Sequence, residues 1–519
     1  MSSIKKLFSS AGTVAGSTLL SRILGFVRDM VIASFFGAGM AADAFFVAFR
    51  IPNLFRRLLA EGSLTTAYVP VFTNIINKNG KNEAFEFAES SFRFFSLFLL
   101  LFCLLGTAAS PYIIKFTAPG FFEIPEKAFL AVNLTRIMFF YLFFICLVAL
   151  CMGMLNTLEH FAAPAVAPVF LNISMISSVI FFSDFFQTPV YALAWGVIAG
   201  GVVQLMFQFP FIFKKGINPF KKTRLWHPGI KKVVFLMGPT VFGAAVYQIS
   251  ILVNTILASF LPQGSISYLY YSDRLVQFPL AIFGITAGIV VLPHMSKQVA
   301  EKNYESLSNT LTQGICFILF ITIPSTAGLI ALGMPVIELL FERGAFTSEM
   351  TKHTYIAMVC YLAGLFAASV IRILVSFFYS FEDAKTPVKA GIISFVSNIV
   401  FAVILMRFFS YAGLALAVSA GSIVNLIFLI IKVKDKIEKP DFGTIWKRSF
   451  YIVLCSLFMG FSVYFLNNYM KNVMDYNSFT LALRVFFGVI FGAGLYFAAA
   501  FMVRLPEMGT IKKIVRRKY

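Results

Sequence analysis

Residues 137–155 read IMFFYLFFICLVALCMGML, nineteen residues without a charge. About 20 apolar residues carry a helix across the hydrocarbon core of a bilayer. A helix also closes its own backbone hydrogen bonds, which lipid demands of anything that spans it. This run is therefore read as a membrane span. Working outward from it, and cutting at charged or Gly/Pro/Asn clusters, gives about fourteen spans, at 11–36, 42–76, 85–113, 128–157, 161–183, 190–213, 233–261, 265–296, 306–333, 353–380, 387–406, 411–431, 449–468 and 481–503. The second and eighth are long and hold Pro52, Pro70, Pro279 and Pro293. Proline removes a backbone bond and clashes one turn back, so these two are expected to bend. The expected fold class is an all-α polytopic membrane protein.

Composition agrees. Of 519 residues, 59% are apolar, 17% aromatic and 13% charged, where a soluble domain has about 25% charged residues. Mean hydropathy is +0.85. These values exclude a soluble globular enzyme and a disordered chain. A cleaved secretory leader is not expected either, because the stretch after Lys5 and Lys6 holds Arg22, Arg28 and Asp29 and lacks a clean cleavage site. The six cysteines all fall inside apolar runs with no CxxC. They read as small buried hydrophobes, with no zinc site and no disulfide framework.

The net charge of +20 would suggest nucleic acid in a soluble protein. Its placement argues otherwise. With the N-terminus in the cytoplasm, 27 basic residues fall on cytoplasmic segments and 6 on the opposite side. That is a positive-inside distribution, with both termini cytoplasmic and the basic loops facing anionic lipid heads.

The chain also resembles itself at an offset of about 221–225 residues. Ile32-Ala33-Ser34-Phe35 matches Leu257-Ala258-Ser259-Phe260, Pro70 matches Pro293, and Glu159 and Pro164 match Glu382 and Pro387. Val203-Gln204-Leu205 matches Val424-Asn425-Leu426. Six spans per repeat give two halves of the same topology, as in transporters whose halves rock about a shared site. The expected organisation is a six-helix lobe at 1–213, a basic cytoplasmic linker at 214–232, a second six-helix lobe at 233–434, and two further helices with a basic tail at 435–519.

Charges inside spans point to the function. The first span contains Ser21-Arg22-Ile23-Leu24-Gly25-Phe26-Val27-Arg28-Asp29, the second Arg50, Arg56, Arg57 and Glu61, and the eighth Asp273-Arg274. An arginine at mid-membrane costs about 2.5–3.5 kcal/mol by insertion scales, so these must face water, a counter-ion or a ligand. Glu61 lies one turn after Arg57, and an ion pair accounts for both. Arg22 and Arg28 are about 120° apart on a straight helix, and a hinge at Gly25 would aim them together. Arg50 and Arg93 read as snorkellers near span ends. The excess is cationic and drawn from both halves. A watered, positive cavity suits an anion, and arginine suits phosphate because its planar fork donates two parallel bonds.

The stretches SRILGFVRD (21–29), GAGMAADAFFVAFRIPNLFRRLLAEGSLTTAYVP (37–70), NTLEHFAAPAVAPVFLNISMI (156–176), QISILVNTILASFLPQGSISYLYYSDRLVQFP (248–279) and KTPVK (385–389) carry a resemblance over nearly the whole chain. It resembles the MurJ (MviN) family of lipid II flippases, in the multidrug/oligosaccharidyl-lipid/polysaccharide (MOP) exporter superfamily. The resemblance implies fourteen helices in two lobes around a central cavity, and helices 13 and 14 beside a groove for the polyprenyl tail. It implies transfer of lipid II, the polyprenyl-diphosphate-linked peptidoglycan precursor, to the outer leaflet of the bacterial cytoplasmic (inner) membrane. The family's cavity arginines fall on Arg22, Arg28, Arg56 and Arg274 and its acidic position on Asp43, while Asp29, Glu61, Asp273 and Ser21 are read from the sequence itself as supporting groups. It implies no cofactor, drive by a coupling ion or the membrane potential, and a monomer with lipid II and membrane lipids as its partners. Asn254 and Asn398 stand in the seventh and eleventh spans, where one branch of the family holds an ion, but no carboxylate stands beside them.

Other readings fit less well. A drug exporter of the same superfamily needs cavity carboxylates for cationic drugs. A flippase for another polyprenyl-linked glycan would use the same arginines, and only the motifs argue against it. An enzyme acting on polyprenyl diphosphates needs an acid–base or metal-binding cluster, and His160, His227, His294 and His353 are scattered. A scaffold leaves the intramembrane arginines unexplained.

Overall fold

A computed structural model describes residues 2–280, 285–437, 440–475 and 477–509, with side chains at all of these except 2–11, 60–62, 242–247 and 285–290. The described residues are helical and contain no strand. Packing divides the chain into two units, one of residues 1–267 with 343–346, the other of residues 268–342 with 347–519.

The first unit contains α1 (Ser2–Phe36), α2 (Met40–Phe55), a π-helical segment (Arg56–Leu64), α3 (Thr65–Ala108), α4 (Ser110–Thr117), α5 (Pro125–Phe139), α6 (Tyr141–Thr157), α7 (Ala162–Phe182), α8 (Val190–Lys214) and α9 (Pro228–Ser259). Within α10 (Ser265–Pro279) the chain passes to the second unit, which continues through α11 (Ile285–Ala300), α12 (Tyr304–Phe341), α13 (Ser348–Leu362), α14 (Leu365–Ser380), α15 (Lys385–Val433), α16 (Phe442–Val473) and α17 (Ser478–Met502). The helix α9, which begins the second sequence repeat, packs with the first unit against α3 and the π-helical segment.

Nine helical stretches among the described residues are long and apolar enough to cross a membrane. Two of them, α3 and α15, have 44 and 49 residues, far beyond the ~20 a bilayer needs. Each is broken once, at Gly80 (φ 85°) and at Ser410 (φ 52°). Both breaks are hairpins. Tyr68 stacks on Phe87 across the first, with ring centroids 5.2 Å apart. Across the second, the Ser394 hydroxyl donates to the Gly421 carbonyl at 2.8 Å. Each pair therefore supplies two antiparallel spans, which is consistent with the fourteen expected from sequence. The 18-residue apolar window of α5–α6 is 72% buried, whereas those of α16 and α17 are 28% and 22% buried. The former is the centre of its unit, and the latter two present Phe458, Phe461, Phe465, Phe486 and Phe487 outward.

The internal repeat has a structural counterpart. Glu159 and Glu382 both adopt left-handed backbone, with φ 57° and 58°. His160 N–H donates to Leu155 O and Glu159 N–H to Asn156 O. Asp383 N–H donates to Phe378 O and Glu382 N–H to Tyr379 O in the same 6→1, 5→2 pattern. This is the Schellman stop of a helix, ordinarily made by glycine. A second correspondence lies inside the first unit. Gly120 rests on the end of α9, where an added Cβ would stand 2.3 Å from Ser259 O. Gly344 rests on the end of α1, where an added Cβ would stand 2.3 Å from Ser34 O, and Ala345 N–H donates to that carbonyl at 2.7 Å. Ser34 and Ser259 are the matched serines of the repeat, so each half supplies a glycine that seats on the other half's first helix.

Candidate functional site

The first span is a single helix through Gly25. The break expected there is absent, so Arg22 and Arg28 keep their angular separation. Gly25 lies beside the Asn172 amide, which a Cβ on it would meet at an ordinary contact distance of 3.8 Å. Arg22 is exposed, with no hydrogen bond or ion pair among the described residues. Arg28 is buried, at 7% exposure. Its Nε and Nη2 donate to Asp29 Oδ1 at 3.1 and 2.7 Å, and its Nη1 donates to Asn172 Oδ1 at 3.1 Å. Asn172 Nδ2 in turn donates to the Ser21 carbonyl at 3.1 Å. Ser21 thus enters through its backbone. Asp29 is the counter-ion of Arg28. A buried guanidinium must be paired and hydrogen-bonded, and here one carboxylate and one amide hold it in a fixed orientation.

Arg56 opens the π-helical segment and is positioned from one turn back, its Nε donating to Asn53 Oδ1 at 2.8 Å. Arg57 is exposed. Its expected pairing with Glu61 lies outside the described side chains. Arg50 does not snorkel. It donates to Thr255 Oγ1 and so ties α2 to α9. Arg93 likewise donates to the Thr223 carbonyl.

Asp43 is fully buried, and four donors surround its carboxylate. Oδ1 accepts from Ser267 N at 3.0 Å and Ser267 Oγ at 2.7 Å. Oδ2 accepts from Lys127 Nζ at 2.9 Å and Gly264 N at 2.8 Å. Lys127 is 3% exposed, and its ammonium lies 4.2 Å from the centroid of Phe121. Asp43 is therefore a fastening between α2, α5 and the α9–α10 turn.

In the second unit, Arg274 is exposed and lies over its own helix. Its Nη2 donates to Tyr270 Oη at 3.0 Å, and its guanidinium carbon sits 5.2 Å from the ring centroid. Asp273 Oδ2 accepts from Gln277 Nε2. An apolar groove of about 500 Å³ runs beside α17, lined by Leu339, Phe479, Ala482, Leu483, Phe486 and Val489.

Among the expected residues, the structure brings together Ser21, Gly25, Arg28 and Asp29, and it gives Asp43 a separate fastening role. Asn172, Asn53 and Lys127 are the working groups that sequence reasoning passed over. Asn172 had a signal, being an amide inside the apolar run VFLNISM, where an unpaired polar group is expensive.

Comparison with known proteins follows the same lines. A family model described as "Lipid II flippase MurJ" matches residues 32–485. A probable lipid II flippase MurJ of Buchnera aphidicola is 38% identical over 493 residues, covering 94% of this chain and 95% of the relative. A lipid II flippase MurJ of Burkholderia cenocepacia is 37% identical, covering 86% and 87%. A solved lipid II flippase MurJ in an inward closed conformation superposes with a TM-score of 0.77 at 28% identity, covering 95% of this chain and 98% of that one. An inward-facing multidrug transporter of the MOP superfamily shares the fold alone, with a TM-score of 0.66 at 15% identity, covering 82% and 98%.

Proposed function

The chain belongs to the family of MurJ lipid II flippases, multi-pass membrane transporters and not enzymes, and from that premise we propose how its residues move the substrate. Lipid II is carried from the cytoplasmic to the outer leaflet of the inner membrane by alternating access. Arg22, Arg28, Arg56 and Arg274 hold the diphosphate of the head group in a central cationic cavity. The supporting observation is the clasp on Arg28, whose guanidinium is oriented by Asn172 and satisfied by Asp29. Asp29 occupies the place of an anionic oxygen. A phosphate displacing it gains the same charge-assisted bonds, and the site avoids holding a bare buried cation before substrate enters. Arg22 and Arg274 are exposed, and in this reading both turn to the head group when it enters.

The polyprenyl tail is apolar and need not cross. It stays in lipid against the groove of α17, so that only the polar head passes through protein. The membrane potential supplies the drive, since an inside-negative potential favours outward movement of an anion by about 2.3 kcal/mol per charge per 100 mV. The protein acts as a monomer with both termini cytoplasmic.

The deciding experiment measures lipid II translocation in cells depleted of their own flippase and expressing this chain, with Arg28→Ala beside it. Translocation by the wild type and none by the variant, at equal membrane abundance, is the expected result. No translocation by either, despite normal insertion, would overturn lipid II as the substrate.

A further inference from the structure

Residues 214–232 read KKGINPFKKTRLWHPGIKK, with seven lysines and arginines and no carboxylate. This linker is held in place by the part of α3 that follows the Gly80 break. Glu89 Oε1 accepts from Asn218 N at 3.2 Å. Arg93 donates to the Thr223 carbonyl, and Glu83 Oε1 lies 3.0 Å from His227 Nε2. His227 Nδ1 accepts from Gly229 N at 3.0 Å, which caps α9 and fixes Nε2 as the donor to Glu83. Ile217 and Ile230 are buried at its two ends. Trp226 packs edge-on against Phe94, and Phe220 against Phe209.

The cations of this strap are exposed along an ordered backbone. Lys215 is spent on the Leu158 carbonyl, and Arg224 lies 3.9 Å from Glu86. Lys214, Lys221, Lys222, Lys231 and Lys232 are exposed and have no partner among the described residues. Between them Phe220 and Trp226 are 64% and 52% exposed. Five like charges on an ordered backbone repel one another unless a counter-charged surface covers them. Interleaved aromatics are the side chains that settle at the headgroup level of a bilayer.

We propose that this strap is a docking surface for anionic phospholipid headgroups of the cytoplasmic leaflet, with the five lysines on phosphates and Phe220 and Trp226 in the interface. The proposal rests on the cytoplasmic placement of the linker and does not require that lipid II be the cargo. Each lysine near an anionic surface strengthens binding by about fivefold.

The test uses the full chain, purified and delipidated, and native mass spectrometry with added phosphatidylglycerol or phosphatidylcholine. The wild type should retain phosphatidylglycerol in preference. A variant with Lys214, Lys221, Lys222, Lys231 and Lys232 all changed to Gln should lose that preference at least tenfold with unchanged melting, and the corresponding Arg variant should keep it. Arg28→Ala should also keep it, which separates this surface from the transport site. Equal retention by wild type and Gln variant would overturn the proposal. So would loss of added lipid II with phosphatidylglycerol retained, which would make the strap an entrance for substrate. Labelling of Lys221→Cys by an impermeant maleimide from outside intact cells would overturn the leaflet assignment and the proposal with it.

Discussion

Arg28 and Asp43 are both buried charges, and they are solved differently. Around the Arg28 guanidinium stand the Asp29 carboxylate and the Asn172 amide, and in the proposed mechanism an incoming anion takes the place of the carboxylate. The carboxylate of Asp43 has a lysine, a hydroxyl and two backbone N–H groups, an arrangement that leaves nothing to exchange. Two expected outcomes follow. Asn172→Ala removes the amide that accepts from Arg28 Nη1 and the hydrogen bond to the Ser21 carbonyl. A hydrogen bond to a charged group contributes about 1.5–3 kcal/mol, so flipping should fall roughly ten- to hundredfold at normal abundance, read in the lipid II translocation assay. Unchanged flipping would remove Asn172 from the site. Asp43→Asn turns an amide toward Lys127 Nζ or the backbone donors, and breaking a buried pair costs about 3–5 kcal/mol. Melting in detergent should drop sharply, and Asp43→Asn with Lys127→Met should recover part of the loss in a double-mutant cycle. Charge in an apolar run is legible from sequence, so Arg28, Asp29 and Asp43 could be picked out. Their partners were not, because Asn172 lies 144 residues from Arg28 and Lys127 looked like one more loop cation.

At the scale of elements, the helix count could be read from hydropathy because lipid punishes any interruption. Gly25 could not be read that way. A glycine inside a helix can signal a hinge, and here the unbroken course of α1 through Gly25 rules the hinge out. The two Schellman stops also escape hydropathy, since Glu159 and Glu382 are unusual residues for left-handed backbone. For an L-residue that conformation costs roughly 1–2 kcal/mol, of which glycine's greater freedom in the unfolded chain returns about 0.5–1. Glu382→Gly should therefore raise melting slightly, by the equivalent of about 0.5–1 kcal/mol, and a fall would show that the glutamate side chain matters. The following residue is tied down more firmly. Asp383 accepts from Thr386 N at 3.0 Å and lies 3.2 Å from Lys436 Nζ. The Thr386 backbone N–H, then its hydroxyl and Lys436, hold the Asp383 carboxyl down at about 2. Because that value is depressed, its stabilisation is complete above the ordinary aspartate range near 4 and vanishes as pH falls through about 2. Asp383→Ala should cost about 1 kcal/mol, as loss of a helix cap does. The gap to wild type should be flat from pH 8 to pH 5 and narrow only below about 4. A gap that closed near pH 6 would assign the effect to another group.

At the scale of the whole molecule, the asymmetry of charge between the two sides was the plainest feature of the sequence, because insertion leaves it in the loops where it can be counted. In the proposed mechanism the direction of transport follows from a related asymmetry, that of the field. The head group is an anion, and there an inside-negative potential draws it outward with no coupled ion. Neither Asn254 nor Asn398 has a carboxylate beside it in sequence, and a site of neutral oxygens alone holds a cation weakly against water. An ionophore that collapses the potential while preserving the pH gradient should therefore stop lipid II flipping by this chain. One that collapses the pH gradient at constant potential should leave flipping nearly intact. The reverse pattern would require a proton carrier. Arg22→Gln offers a second check, because flux through a cavity with one cation fewer carries a different net charge across the field. Its dependence on potential should be measurably altered, whereas Glu382→Gln, which neutralises a charge at a turn between two helices, should leave that dependence as it is in the wild type.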